Sequence, residues 1–594
     1  MPVEENPEAQ LKRKGSPSRG VQPEAMFELP SDNVELVRQA MNVIDICRYD
    51  QGNRRNYYQT LNMIVETGKR DGTKSLINML YSTLDRLSSH LCSPAELRFS
   101  MEFDGDYGDE VLQRGRIAAT QIKNQWERRS TDVRFAQGVF EALKYGACFL
   151  KQWPSATGED RLPVYNSALV MPWQFGVYRP DLDNLDGQPA MVETVPMTLP
   201  EVWRRIYHLP DAEKLFERIK GHAFPGASNS NSSSSMHPVL SASTLQTGVN
   251  GGGQSLSGGL VQIGTQDCPR PTGDGNAPTV NMHELWMWNG YDYATIQIIE
   301  PDVLLTRFKR SNLLISGENV SGLHPYTLIQ PNQVAGNIWG RSELEDLLEP
   351  QDFLSSTAAD IRRLFGVQVD KFLGISGEGL TDEIYDQARL AGYVNLGPGG
   401  SVNDLTPQFP QAALPLLEKL IQIIEMLSGF DNLLSGKGEP GVRSGVQSNP
   451  LMKAAGARLR DRSLIVERQL AGAADLLLSI MEAKDGRNYW TDPRNPEATS
   501  FLLSNLPDDR RVVVDGHTAS PIFADDHMNL IMNGLRLDLV DKVSAIEQLP
   551  FQNRDIILTR HRAVEEQRAA MMKQLQQTNP EAFYKILEHS GKKR

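Results

Sequence analysis

Apolar residues recur at helical spacing through much of this chain, and shorter continuous or alternating apolar runs separate the helical stretches. Between residues 32 and 92, positions such as Val34 and Val37 predict amphipathic helices, with Asp32 as the first N-cap. Residues 96–103 then predict an extended segment, so this part of the chain combines packed helices with a strand.

In the next part of the chain, segments with apolar residues at helical spacing alternate with segments that have the pattern of a strand. Gly146 follows a helical run, FAQGVFEALKY, and glycine readily adopts the left-handed conformation that ends a helix. The predicted elements are helices at 109–126 and 135–145, strands at 147–153 and near 164, a buried strand and turn at 170–178, and helices at 199–207 and 211–219. This order indicates an α+β domain.

Residues 224–280 interrupt this pattern. Asn, Ser, Gly and Thr dominate the segment, which buries too little apolar surface to offset the entropy cost of ordering it. We interpret it as a low-complexity insertion or surface loop. Three antiparallel strands are predicted after it, at His283–Trp288, Ala294–Ile299 and Val303–Phe308, with a turn at the Asn-Gly pair between the first two.

Residues 339–484 predict a helix, a short β-rich insert, a second helix, a polar Gly-rich loop and a long third helix. Pro350 interrupts the apolar stripe of the first helix, so it should kink that helix or occupy the first turn of a new one. The side chains predicted to pack the first two helices together are Leu354, Ile361, Phe365, Leu417, Ile421 and Ile424. Strands at 501–506 and 511–514 and helices near 526–533, 539–548 and 552–576 complete the prediction.

Composition narrows the class of protein. The 594 residues carry a formal charge of −13, which disfavours tight DNA binding because phosphate contacts require a basic surface. No apolar run approaches the roughly 20 residues of a membrane helix, and residues 1–31 read as a polar, disordered arm rather than a signal peptide. The four cysteines include no CxxC pair, and three of them stand in apolar contexts typical of buried thiols in a reducing compartment.

The Gly-rich loop invites a nucleotide-binding interpretation, which its context disfavours. Gly436, Gly438 and Gly441 match GxGxxG, but a dinucleotide site requires a preceding strand, and here a helix precedes and Pro440 intervenes. The same glycines, together with Gly445, suit a loop that adjusts to a moving partner.

Charged residues in and after this loop each allow two interpretations. Lys437 and Arg443 either contact phosphates transiently or keep an exposed loop soluble, and Glu439 and Ser444 lie beside them. The third helix carries basic residues that form a solvated face paired with Asp461 and Glu467, or of which some lie at a subunit interface or near a negatively charged core. These basic residues are Lys453, Arg458, Arg460, Arg462 and Arg468.

Residues typical of a catalytic or metal centre do not come together in the sequence. No Walker A motif and no HExxH motif occurs, and the ten histidines are scattered, so core or surface roles are their default. We therefore predict no catalytic residue, no cofactor and no metal site.

Several segments, taken in order, resemble the portal proteins of tailed bacteriophages. Phe135–Leu150 and Val170–Pro180 resemble the wing, and Trp339–Ser342 with Gln351 resembles the entry to the first stem helix. Leu427–Gly445 resembles the end of the second stem helix and the tunnel loop, and Val512–Pro521 resembles the strand before the crown. The insertion at 224–280 departs from the family pattern.

The resemblance implies an α+β portal fold with a wing, a helical stem, a small α/β clip and a helical crown. The implied divisions are a wing at 32–223 and 281–340, stem helices at 341–366 and 411–431, a clip at 367–410, a tunnel loop at 432–449, a further wing helix and strands at 450–524, and a crown and tail at 525–594.

The resemblance also implies a non-enzymatic function. Portal proteins form a ring, usually of twelve subunits, at one capsid vertex, and double-stranded DNA passes through it. The implied partners are further copies of the chain, the terminase large subunit, head-completion or adaptor proteins, tail proteins, and the major capsid and scaffolding proteins. The implied location is the virion, after assembly in the host cytoplasm and without a membrane. Two alternatives stay open: another phage head or connector protein, and a nucleotide-dependent enzyme that uses the Gly-rich loop.

Overall fold

Helices and antiparallel strands make up the computed structural model, which confirms the mixed α+β class. It describes residues 30–94, 97–155, 164–223, 278–288, 293–307, 324–369, 373–376, 401–404, 410–428, 457–484, 488–490, 500–514 and 521–537, with a few single positions beside them.

The helices of the described residues follow the predicted order. They are α1 (Asn33–Thr67), α2 (Leu80–Leu91), α3 (Asp109–Arg129), α4 (Thr131–Tyr145), α5 (Leu199–Ile206), α6 (Ala212–Gly221), α7 (Leu348–Val369), α8 (Ala413–Leu427), α9 (Ala457–Lys484) and α10 (Pro521–Arg536). Short 3-10 turns lie at Glu345–Leu347 and Leu503–Asn505. Asp32 accepts hydrogen bonds from the amides of Val34 and Glu35, which confirms the predicted N-cap.

The strands of the described residues are all paired antiparallel. They are β1 (Phe99–Phe103), β2 (Cys148–Ser155), β3 (Val164–Val170), β4 (Phe175–Val177), β5 (Ala190–Thr198), β6 (Thr279–Trp288), β7 (Tyr293–Ile299), β8 (Val303–Arg307), β9 (Tyr326–Ile329), β10 (Leu373–Ser376), β11 (Ser401–Asp404), β12 (Tyr489–Trp490), β13 (Ser500–Phe501) and β14 (Arg510–Val514).

Two sheets form the centre of the described chain. The larger has the strand order β4-β5-β6-β7-β8 and the smaller β3-β2-β9. Aromatic rings join them: the centroids of Phe149 and Phe175 are 4.2 Å apart, and those of Trp286 and Tyr326 are 6.2 Å apart. The sheets are therefore packed face to face, with side chains from both filling the space between them.

Helices cover the outer faces of these sheets. The N-terminal half of α1 lays Leu36, Ile44 and their apolar neighbours on the larger sheet, and each such buried side chain contributes about 1.5–3 kcal/mol. On the smaller sheet, the Gln152 side chain donates to the Ala473 carbonyl of α9 at 2.8 Å. The central sheets thus lie between α1 on one side and α9 on the other.

Several sequence predictions were incomplete or wrong within the sheets. β5 and β9 were not predicted, because AMVETVPMT carries a glutamate and a proline, and because β9 is only four residues long. Thr279 and Val280 are buried in β6, so the predicted insertion at 224–280 extends two residues too far. The remainder of that insertion and the Asn-Gly turn lie outside the described residues.

The C-terminal boundaries also need correction. Residues 501–506 are a two-residue strand followed by a 3-10 turn rather than one strand, and α10 begins at Pro521, before the predicted boundary at 525. The helices predicted at 539–548 and 552–576, like the arm at 1–29, fall largely or wholly outside the described residues.

Candidate functional site: a helical hairpin and its base

The segment that leads into α7 docks on the C-terminus of α4. Ser342 donates its hydroxyl to the Lys144 carbonyl at 2.6 Å, and the Glu343 amide donates to the Leu143 carbonyl at 2.9 Å. These bonds satisfy carbonyls that a helix end leaves without intrahelical partners. Trp339 beside them is buried. The structure thereby brings together two segments, 135–150 and 339–342, that the sequence singled out separately.

A buried polar pair fixes the first turns of α7. Gln351 lies in the apolar stripe, where its amide nitrogen donates to the Ile77 carbonyl at 2.8 Å and its oxygen accepts from the Met79 amide at 3.1 Å. Ser355, one turn further, donates to the Gly68 carbonyl at 2.8 Å. Buried polar groups are costly without hydrogen-bond partners. These bonds therefore fix the position of the first turns of α7 against the turn between α1 and α2.

The first predicted stem helix has a different start from the one expected. Residues 341–347 form a non-helical entry and a 3-10 turn, and α7 runs from Leu348 to Val369, past the predicted boundary at 366. Pro350 therefore occupies the first turn of a new helix, which confirms one of the two alternatives for it. The second helix, predicted at 411–431, is α8 and spans Ala413–Leu427.

The helices α7 and α8 pack against each other, and α8 also contacts the 3-10 turn before α7. Among the side chains predicted to pack the two helices together, Leu354, Ile361 and Ile424 are buried, and Leu417 and Ile421 are partly buried against the core. Phe365, also predicted for this packing, is 46% exposed. It lies one turn beyond Ile361, the last of the described side chains of α7 that is buried.

The far half of this helical hairpin is covered by little else in the described chain. No described residue of 362–369 or 410–419 is buried. Large apolar side chains point outward on both helices: Phe353, Phe365, Leu414, Leu416, Met426 and Leu427. An exposed apolar surface of this kind indicates an interaction site, because contact between apolar side chains and water is energetically unfavourable in an isolated chain.

A buried ion pair ties α9 to the base of the hairpin. Arg462 lies 2.8 Å from a Glu343 carboxylate oxygen, and both side chains are buried. The interpretation of a solvated face paired with Asp461 and Glu467 was wrong for Arg462, which is buried and pairs with Glu343. Arg468, by contrast, is exposed.

The loop residues proposed to face DNA lie outside the described residues. They are Lys437, Glu439, Arg443 and Ser444, with the loop glycines Gly436, Gly438, Gly441 and Gly445. Of the predicted clip at 367–410, the structure describes the end of α7 and the paired strands β10 and β11.

A buried hydroxyl, imidazole and carboxylate form the arrangement closest to a catalytic triad. Thr194 Oγ1 is 3.0 Å from His283 Nδ1, and His283 Nε2 is 2.9 Å from Glu300 Oε1. Burial lowers the pKa of His283. Both Thr194 and His283 have 0% exposure, so no substrate reaches the hydroxyl, and the group instead joins β5, β6 and the turn after β7. His283 is thus a core histidine.

A second buried polar cluster lies between the two sheets. Lys151 Nζ is 2.5 Å from a Glu193 carboxylate oxygen and 3.0 Å from Glu284, and Tyr326 donates its hydroxyl to Glu193 at 2.7 Å. Burial alone would lower the pKa of Lys151, but the two carboxylates outweigh it and raise that pKa. Burial raises the pKa of Glu284; Lys151 opposes this rise and Glu193 adds to it.

Sequence reasoning missed both clusters, although a signal existed. Lys151, Glu193 and His283 each stand in a strand of mainly apolar residues, where a buried charged or polar side chain must find a partner. Which partner it finds depends on strand register, and the pairing of Glu193 with Glu284 and of Thr194 with His283 follows from the β5–β6 alignment.

Other chemistry is sparse in the part of the chain that the structure describes. No group of three or more His, Cys, Asp or Glu residues there could hold a metal ion, and no helix there is long and apolar enough to cross a membrane. Cys47, Cys92 and Cys148 are free, buried thiols, as predicted for three of the four cysteines, and burial raises the pKa of Cys92 to about 12.

Comparisons with known proteins add no assignment. The sequence matches no model of a known protein family and no curated protein.

Proposed function

We propose that this protein is a portal: a ring-forming channel for double-stranded DNA at one vertex of a phage capsid. The observation that carries the proposal is the helical hairpin of α7 and α8. It stands on a hydrogen-bonded base, a small β pair follows α7, and outward apolar side chains line both helices. The ordered resemblance of its segments to portal proteins supports the same conclusion.

Ring formation gives the exposed side chains of the hairpin a role. In a cyclic, head-to-tail assembly each subunit needs two different complementary faces. Phe353 and Phe365 on α7 and Leu414 and Met426 on α8 supply apolar surface on two helices, so hairpins from neighbouring copies bury it by standing side by side. The paired helices then line a channel.

The negative net charge of the chain favours passage of DNA over tight binding of DNA. The chain carries −13 overall, so most of its surface repels phosphates weakly, and screening over about 8–10 Å keeps any attraction local. Lys437 and Arg443 of the Gly-rich loop provide brief phosphate contacts. As a portal, the ring docks the terminase large subunit during packaging and adaptor or tail proteins afterwards, beside capsid and scaffolding proteins in the virion.

Particle mass and negative-stain electron microscopy test the ring. The purified full chain should form a closed ring of about a dozen copies with a central hole. The double variant Phe353→Ser/Met426→Ser should shift the mass towards the monomer while leaving the fold intact by circular dichroism.

A matched control is Val34→Ser/Tyr49→Ser, which removes two exposed apolar side chains from α1. It should leave the ring unchanged. A wild-type monomer that binds nucleotide in a titration would favour the enzyme alternative instead.

A second experiment tests the loop. Lys437→Glu/Arg443→Glu should impair DNA packaging or retention while particle mass stays that of the wild-type ring. Normal packaging by this variant would remove the phosphate-contact role and leave the ring proposal untouched.

A further inference from the structure

The helix α5 presents aromatic side chains to solvent on the side away from its core contacts. Val202 and Ile206 are buried against β6 and β8, which fixes the orientation of the helix. Trp203 is 39% exposed and Tyr207 is 65% exposed. Tyr207 directly follows the helix, one turn after Trp203, so the two side chains border one surface, and the Trp203 ring also packs edge-on against Phe216 of α6 with centroids 5.2 Å apart.

Two arginines flank these rings with their charge uncompensated. Arg204 and Arg205 are exposed, and within the described residues neither guanidinium takes part in an ion pair or hydrogen bond. Glu201, on the same helix, is held by Thr198 in a capping box at 2.8 Å. The arginines therefore present full positive charge on a strongly acidic protein.

The neighbouring helix α6 shows the opposite arrangement. Its basic side chains have carboxylate partners, as the following distances show: Lys214 to Asp211 at 3.1 Å, Lys220 to Glu217 at 3.2 Å, and Arg218 to Asp302 at 2.7 Å. Of these two neighbouring helices, only α5 carries basic side chains without a carboxylate partner in the described chain, and they lie next to the aromatic rings.

We define the aromatic–arginine patch as Trp203, Arg204, Arg205, Tyr207 and His208, and we propose that it docks an acidic segment of a partner protein. Trp, Tyr and Arg are the residues that most often dominate binding energy at protein interfaces. Arginine binds carboxylates through two parallel hydrogen bonds, and the rings offer an apolar surface for a neighbouring side chain. The partner segment therefore carries carboxylates beside an apolar residue.

Nucleic acid fits this patch less well. Binding to a nucleic acid draws most of its affinity from many phosphate contacts, and two arginines on a protein of net charge −13 supply few. The proposal is independent of ring formation, because the hairpin residues contribute nothing to the patch.

Fluorescence anisotropy with defined peptides tests the proposal on the full chain. The probe is a labelled peptide with three repeats of Asp-Glu-Leu-Phe. One comparison peptide replaces the acids by Asn and Gln, and another replaces Leu-Phe by Gly-Ser. Binding should require both the carboxylates and the apolar residues, and it should weaken as salt rises.

Substitutions locate the binding. Arg204→Ala/Arg205→Ala should weaken binding at least about fivefold, because two charge-assisted pairs are lost. Tyr207→Ala should weaken it by a similar factor. Lys214→Ala/Lys220→Ala removes the same amount of positive charge from paired positions and should change the affinity by less than about twofold.

Four results would overturn the proposal. The first is an acidic peptide that does not bind, and the second is equal binding of its Asn and Gln counterpart. The third is single-stranded oligothymidine that binds with the same dependence on the two arginines, which would assign the patch to nucleic acid. The fourth is a change in particle mass in Arg204→Ala/Arg205→Ala, which would show that a second copy occupies the patch.

Discussion

Gly146 and Gly340 lie back to back where the end of α4 meets the segment leading into α7. A Cβ atom on Gly340 would lie 2.7 Å from the Gly146 carbonyl oxygen, and one on Gly146 would lie 2.5 Å from the Trp339 carbonyl oxygen. Both residues have positive φ, +101° for Gly146 and +61° for Gly340. This contact explains why glycine stands at both positions: the backbones approach too closely for any side chain.

We expect Gly340→Ala to lower the free energy of unfolding by about 1–3 kcal/mol, because the new methyl group meets backbone atoms and φ is strained. Thermal and urea unfolding measure this. Gly472→Ala in α9 is the matched control, since a Cβ there meets nothing within 4 Å. The control should gain about 0.5–1 kcal/mol from helix propensity. Equal stability of Gly340→Ala and wild type would contradict the close approach.

Gln351 gives a second prediction. Gln351→Ala leaves the partly buried Met79 amide without its hydrogen-bond acceptor, whereas the Ile77 carbonyl keeps its bond from the Ser75 hydroxyl at 2.9 Å. We expect a loss of about 1–3 kcal/mol of stability and faster amide exchange at Met79. Gln422→Ala is the control, since Gln422 is exposed on α8. If Gln351→Ala left amide exchange in the 68–79 turn unchanged, the side chain would not fix that turn.

The inter-sheet cluster predicts a pH dependence. Burial raises the pKa of the Glu284 carboxyl above its unfolded value of 4.5. The folded chain therefore prefers the protonated carboxyl, and this preference stabilises the fold in full below pH 4.5. This stability is lost as pH rises through the raised pKa. Glu284→Gln stays neutral at every pH, and Lys151 keeps Glu193 as its partner. The stability advantage of Glu284→Gln over wild type should therefore grow as pH rises above 4.5.

Urea unfolding at a series of pH values measures this difference. Glu102→Gln, at an exposed carboxylate, should show no such growth. A stability difference between Glu284→Gln and wild type that is constant with pH would show that folding does not change the pKa of Glu284, contrary to this prediction.

The parts of the fold that the sequence predicted well are those with long, regular periods. The helices α1 to α4, and the strands β6 to β8, carry continuous amphipathic or apolar runs, and Asp32 and Gly146 mark helix ends through local backbone chemistry. Local signals of this kind do not depend on where the chain folds back.

The parts that were missed depend on contacts between distant segments. β5 was overlooked because Glu193 and Pro196 break its strand pattern, yet Glu193 is satisfied by Lys151 and Tyr326 from other strands. Phe365 continues the apolar stripe of α7. Only the three-dimensional packing shows that Ile361 is buried by neighbouring elements while Phe365, one turn further on, is 46% exposed. The pairing of Arg462 with Glu343 likewise could not be read from α9 alone.

That ion pair supplies the last prediction. Arg462→Ala leaves the Glu343 carboxylate buried without its cation, although Asn332 still donates to it at 2.9 Å. We expect a loss of about 3–5 kcal/mol of stability, the usual penalty for breaking a buried pair. Arg468→Ala, an exposed arginine on the same helix, should stay within about 0.5 kcal/mol of wild type.

A double-mutant cycle separates the pair from its surroundings. The cycle compares Arg462→Met, Glu343→Gln and the double variant Arg462→Met/Glu343→Gln. The double variant removes both charges, so it should be more stable than Arg462→Met, and the coupling energy should exceed about 1 kcal/mol. Additive effects of the single substitutions would mean that the two side chains do not interact in solution. In that case α9 would be held at the base of the hairpin by apolar packing and by the hydrogen bonds between the Gln469 side chain and the Gln330 backbone.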